Sequence, residues 1–144
     1  MKIAIVMSRF NEDVTHGLRD GAFAYLSEKG IQHTDISLFE APGAFEVPLI
    51  AKTLAQTSRY AGVICLGCVI KGDTAHFEFI SLGATLGIQQ ASLATNIPIT
   101  FGILTTYTEE QAQVRSRADA HNKGREAAAA CLDSIHILQM VRQS

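Results

Sequence analysis

The chain has 144 residues, 47% of them apolar and 18% charged, with a formal net charge of −2. That length and balance fit one globular domain with a real core and exclude a disordered chain. The small net charge, the lack of any lysine or arginine run and the absence of tryptophan argue against nucleic acid as the main partner.

The chain opens with MKIAIVMSRF, whose apolar run is too short for a signal peptide and reads as a strand over residues 3–7. A helix pattern follows over 13–29, and Gly30 stands where a C′ glycine closes a helix. A second strand is predicted over 35–39, then a helix over 45–56. The run VICLGCVI belongs to a third strand, 62–70, and a third helix is predicted over 76–95. A fourth strand over 99–104 precedes helices over 109–118 and 123–142. Thr106 with Glu109, or Thr108 with Gln111, suits a capping box for the fourth helix, and Asn122 suits the N-cap of the fifth. That last helix sets Ala128, Cys131, Leu132, Ile135, Leu138 and Val141 on one face. No apolar stretch reaches membrane-spanning length, so no membrane partner is expected and the chain is read as cytoplasmic.

Strands alternating with helices in this order predict the α/β class: a flavodoxin-like, three-layer α/β/α arrangement on a four-stranded parallel sheet. The cysteines number three, too few for a disulfide framework. Cys65 and Cys68 form C-L-G-C inside a strand, where residues three apart face opposite sides, so neither redox pairing nor a zinc site is expected. The third helix carries Gly83, Ala84, Gly87, Ala91 and Ala94 at spacings of three and four. Small residues in that pattern admit another backbone, either the sheet beneath or a subunit.

Ligands of open parallel sheets sit beyond the carboxyl ends of the strands. Those ends carry SRFN with Phe10, PGAFEVP with Glu46, KGDTAH with His76, and Thr105-Thr106. One edge therefore collects an aromatic ring, a carboxylate expected to be buried, a glycine turn at a helix N-terminus, and an imidazole. Backbone N–H groups at such a terminus lack partners and suit an anion, and a histidine beside it is a candidate acid or base. Taken singly, Phe10 reads as a core-closing ring, Glu46 as a dipole partner, and Arg115, Arg117 and Lys123 as a solvated basic face. Known sites of this fold fit poorly. SRFN lacks the glycines of an FMN loop, the third strand ends Val69-Ile70-Lys71 without a phosphoacceptor aspartate, and G-x-G-x-x-G, Walker and G-x-S-x-G motifs are absent.

In SRFN, PGAFEVP, GCVIKGDTAHFEFI, FGILTT, EEQAQVR and NKGREAA, in that order, the chain resembles the lumazine synthase family over nearly its whole length. The resemblance implies a transferase of riboflavin biosynthesis. It would condense 5-amino-6-(D-ribitylamino)uracil with the sugar phosphate 3,4-dihydroxy-2-butanone 4-phosphate, using no metal or organic cofactor. By motif, Phe10 would stack on the pyrimidine, and Ala44, Phe45 and Glu46 would line the ribityl chain. Val69 and Ile70 would meet the ring, and Gly72, Asp73 and Thr74 would cradle the phosphate. Arg115, Phe101 and Lys123 would reach in from an adjacent subunit, and His76 would shuttle protons. The resemblance also implies a homopentamer whose axis is lined by the third helix, with Gly83, Gly87 and Ala91 permitting close packing. Family members usually carry an extra N-terminal segment, and icosahedral ones a glycine-rich turn where this chain has SRADAHN, so a free pentamer is expected over a shell. A related riboflavin synthase, a flavin-binding protein without catalysis and a capsid-like container are the competing readings.

Overall fold

The computed structural model describes all of residues 1–144. Four strands, β1 (Ile3–Ser8), β2 (Ile36–Ala41), β3 (Gly62–Ile70) and β4 (Ile99–Thr106), form a single sheet in the order β2-β1-β3-β4. Every pairing is parallel, with Ile3 opposite Ile36 and Gly62, and Val69 opposite Thr105. The helices are α1 (Glu12–Glu28), α2 (Val47–Gln56), α3 (His76–Thr95), α4 (Glu109–Val114) and α5 (Lys123–Gln143). This is the flavodoxin-like three-layer fold that the alternation predicts, with the switch in strand order falling between β1 and β3.

The sequence dictates the layering. β1 is buried at every position and β3 from Gly62 to Cys68, because both are interior strands covered on both faces. Alternate side chains then feed two cores. Ile3, Ile5, Met7, Ile64, Leu66 and Cys68 face α1 and α5. Ala4, Val6, Val63, Cys65 and Ile103 face α2 and α3. Cys65 and Cys68 thus lie on opposite sides of the sheet, and all three cysteines are free and buried. β2, at one edge, exposes Leu38 and Phe39. β4, at the other, pairs only with β3.

Local signals set the helix ends. Gly30 has φ +85° and closes a Schellman motif, its N–H donating to Ser27 O while Ile31 N–H donates to Leu26 O. Of the two capping registers for α4, Thr108 with Gln111 is the one formed, both reciprocal bonds being present. Asn122 caps α5 by accepting the Arg125 N–H at 3.0 Å. Its amide also donates to Gly17 O at 3.0 Å and Arg117 O at 2.8 Å, so one buried side chain ties the α4–α5 loop to α1. Gly124 lets α5 approach α1, for a Cβ there would run into the Leu18 backbone.

Several expectations need correction. Residues 44–46 form a 3-10 turn, so α2 starts at Val47 and not at Phe45, with Pro48 in its first turn where a missing N–H does no harm. β2 runs to Ala41, Asp35 being the end of a short 3-10 turn. α4 stops at Val114 instead of 118, because the chain turns back there and Lys123 N–H bonds Arg115 O at 2.8 Å. Leu138 and Val141 share a face but line an open cavity with Ile97 and Ile99 instead of entering the core, and Val141 is exposed. The α3 glycines face their own chain: a Cβ on Gly83 would meet the Phe45 ring and one on Gly87 would meet Pro48, both at 2.8 Å. Ala84, Ile88 and Ala91 pack on the sheet, and the opposite face of α3 leaves Phe79, Leu82, Leu86 and Leu93 in solvent.

Candidate functional site

At the carboxyl ends of β1 and β3, where the strand order switches, lies a cavity of about 440 Å³. It is lined by Phe10, Ala44, Phe45, Glu46, Val69, Ile70 and His76 among the expected residues, and by Asn11, Gly43, Cys68 and Ile80 besides. Each wall has a local cause. Asn11 turns the chain from β1 into α1 with φ 59°, a conformation asparagine tolerates, and its amide donates to Cys68 O at 3.1 Å. That bond ties the Phe10 loop to the end of β3. Gly43 is extended and buried, and a Cβ on it would lie 3.1 Å from Glu46 Oε1 and 3.4 Å from the Phe10 ring. The missing side chain is what brings ring and carboxylate together. Glu46 is exposed, contrary to the expectation of burial, because it ends the 3-10 turn with its side chain at the cavity mouth.

His76 opens α3, and its N–H donates to Thr74 Oγ1 at 3.3 Å. The next backbone bond is Phe79 N–H to Ala75 O, which leaves the Phe77 and Glu78 amides with no acceptor in the chain. Gly72, Asp73 and Thr74 stand exposed at this helix entrance outside the switch-point cavity, and nothing lies within 4 Å of where a Gly72 Cβ would be. Burial pushes the Cys68 thiol up to about 12, helped by the charges of Asp13 and Glu109, so this wall residue is no nucleophile near neutrality.

Phe101, Arg115 and Lys123 do not join this cavity. They line a second one, of about 540 Å³, between the edge of β4 and the α4–α5 loop, with Thr105, Thr106, Asp119, His121 and Glu126. Arg115 Nη1 donates to Gln111 O at 3.0 Å, folding the guanidinium against the end of α4. Lys123 Nζ lies 3.4 Å from Glu126 Oε1. A single chain therefore carries two separate cavities, one aromatic and acidic at the switch point, one of mixed charge on the β4 flank.

Sequence reasoning passed over Asn11 and His121. Asn11 was legible as the residue before two acidic first-turn positions, Glu12 and Asp13, where an N-cap belongs. His121 had no signal of its own, because only the loop closure brings it beside Arg115 and Lys123.

A parallel sheet with an aromatic, carboxylate and imidazole cavity at its switch point defines a small-molecule-binding protein of the flavodoxin-like class. Comparison with known proteins makes this specific. Residues 1–139 match the family model for 6,7-dimethyl-8-ribityllumazine synthase. The chain is 59% identical over 143 residues to 6,7-dimethyl-8-ribityllumazine synthase 1 of Caulobacter vibrioides, covering 99% of this chain and 94% of that one. It is 46% identical to the synthases of Syntrophus aciditrophicus and Leuconostoc mesenteroides, each over 98% of this chain and 92% and 90% of theirs. The chain belongs to the 6,7-dimethyl-8-ribityllumazine synthase family.

Proposed function

We propose that this chain, acting as one domain, condenses 5-amino-6-(D-ribitylamino)uracil with 3,4-dihydroxy-2-butanone 4-phosphate. The products are 6,7-dimethyl-8-ribityllumazine, phosphate and water, in the penultimate step of riboflavin biosynthesis. The observation that carries the reading is the switch-point cavity, where ring, carboxylate and imidazole meet in a member of this family. Phe10 stacks on the pyrimidine, while Val69 and Ile70 form the floor beneath it. Ala44 and Phe45 flank the ribityl chain, and the Glu46 carboxylate accepts its hydroxyl protons. Gly72, Asp73 and Thr74 offer backbone N–H groups to the phosphate, with the unpartnered amides of Phe77 and Glu78 close behind. Imine formation, phosphate loss and ring closure each move protons, and His76 is the group in the cavity suited to carry them. Phosphate leaves readily, so holding two reactants in line supplies much of the rate.

The β4-flank cavity, with Arg115 and Lys123 in its wall, completes the pocket of a neighbouring copy. Arg115 pairs with the phosphate there, supported by Phe101 and Lys123. The separation of the two half-sites within one chain supports this sharing, as does the exposed apolar stripe Phe79, Leu82, Leu86 and Leu93 on α3. We read the assembly as a homopentamer with α3 towards its axis, packed through that stripe and not through the glycines. No helix is long and apolar enough to cross a membrane. The free thiols suit a reducing cytoplasm. Mixing the two substrates with the protein and following lumazine fluorescence tests the activity; no product above the uncatalysed rate would overturn it. Sedimentation showing a fully active monomer would overturn the shared site.

A further inference from the structure

The α4–α5 loop is held more firmly than a surface loop needs to be. Lys123 N–H to Arg115 O closes it at 2.8 Å, and buried Asn122 anchors it through Gly17 O and Arg117 O. Asp119 Oδ1 accepts the His121 N–H at 2.8 Å, fixing the backbone that carries the imidazole. The result presents Arg115, His121 and Lys123 around one cavity. Two carboxylates share that cavity, Asp119 and Glu126. Lys123 lies against Glu126, so Arg115 and Asp119 are left to offset each other. Without His121 the formal charges of the lining cancel, which is a poor match for a phosphate. A charge on the imidazole gives the cavity a net positive sign.

We propose that His121 is a third phosphate-holding residue of this half-site, strengthening capture of the phosphate-bearing substrate as the solution becomes mildly acidic. The inference rests on the assignment of this cavity to the substrate phosphate. Histidine is the residue type whose charge changes across the physiological range, so acidification favours such a contribution and alkaline conditions oppose it. The groups facing it are Arg115 from the end of α4, Asp119 in the loop, and Lys123 and Glu126 from α5. The imidazole is exposed and takes no part in the loop's own bonds, so its replacement leaves the anchor of Asn122 and Asp119 in place.

The test measures KM for 3,4-dihydroxy-2-butanone 4-phosphate with wild type, His121→Ala and His121→Lys over about pH 5.5–8.5. The substrate phosphate ionises in this range too, with a second pKa near about 6, so the informative quantity is the ratio of variant to wild-type KM at each pH. For His121→Ala that ratio rises to about threefold to fivefold at the acidic end, as for one partly exposed ion pair, and falls towards one at the alkaline end. His121→Lys, with a permanent charge, binds more tightly than wild type at pH near 8 and loses that advantage on acidification. The effect lies in KM and not in kcat. Calorimetric titration of the same proteins with inorganic phosphate gives a readout independent of the reaction. If lumazine forms and the ratios stay at one throughout, His121 has no such role while the activity stands. If no lumazine forms but phosphate binds in a His121-dependent way, the anion site stands and the assigned reaction falls.

Discussion

Gly83→Ala separates the ligand-lining role of the α2–α3 contact from stability and from assembly. A Cβ at Gly83 would sit 2.8 Å from Phe45 Cε1 and 3.1 Å from Cδ1. Carbon atoms rest about 3.5–4.0 Å apart, so the ring has to retreat by roughly 0.7–1.2 Å. Phe45 is 58% exposed, so it has room to swing. Alanine gains about 0.5–1 kcal/mol over glycine within a helix, which offsets the lost contact. Stability in urea should therefore stay within about 1 kcal/mol of wild type. Phe45 lines the switch-point cavity, and a displacement near 1 Å beside a reacting pair costs up to about a hundredfold. We expect kcat/KM for the pyrimidine to fall by about ten- to a hundredfold, with sedimentation unchanged. Unaltered kcat/KM would refute the Phe45 wall. Loss of assembly in the variant would return the glycine to a subunit interface.

Replacing His76 with alanine should slow single-turnover condensation by no more than about a hundredfold, because proximity and a good leaving group remain; an unchanged rate removes the proton-transfer role. Asn122→Ala strands the Gly17 and Arg117 carbonyls and the Arg125 amide at once, and should destabilise the fold by about 2–4 kcal/mol. Asn122→Asp, which keeps the cap but loses the donor, should fall between; equal urea midpoints for all three chains would show that the anchor contributes nothing. The bidentate bonds from Arg125 at 2.9 and 2.7 Å hold the Glu28 carboxyl below its ordinary 4.5. A depressed carboxyl stabilises the fold above its unfolded pKa and ceases to do so as pH falls through the folded value. Glu28→Gln should therefore be less stable than wild type at neutral pH, with the gap closing in acid below 4.5. A gap independent of pH would assign the effect to packing.

The layered fold was legible because β1 and β3 are apolar without interruption, as only strands covered on both faces are, and because Gly30 and Asn122 mark helix ends by chemistry. The cavity residues at the strand ends were legible for the same topological reason. What escaped was set by tertiary approach. Nothing local says that Gly83 leaves room for Phe45, or that α4 breaks at Val114 so that Lys123 can bond Arg115. Thr106 with Glu109 was as good a capping box on paper as Thr108 with Gln111. Thr106 sits inside β4 with its hydroxyl donating to Thr108 O, which leaves the later register to cap the helix.

If the two cavities are shared between copies as proposed, their placement on different flanks of one protomer would make that contact head-to-tail, each chain giving to one neighbour and receiving from the other. Two dead variants, Glu46→Ala and Arg115→Ala, should then rescue each other when refolded together. In an equal mixture about one junction in four pairs an intact acidic half with an intact cationic half, so about a quarter of the activity returns from two inactive parents.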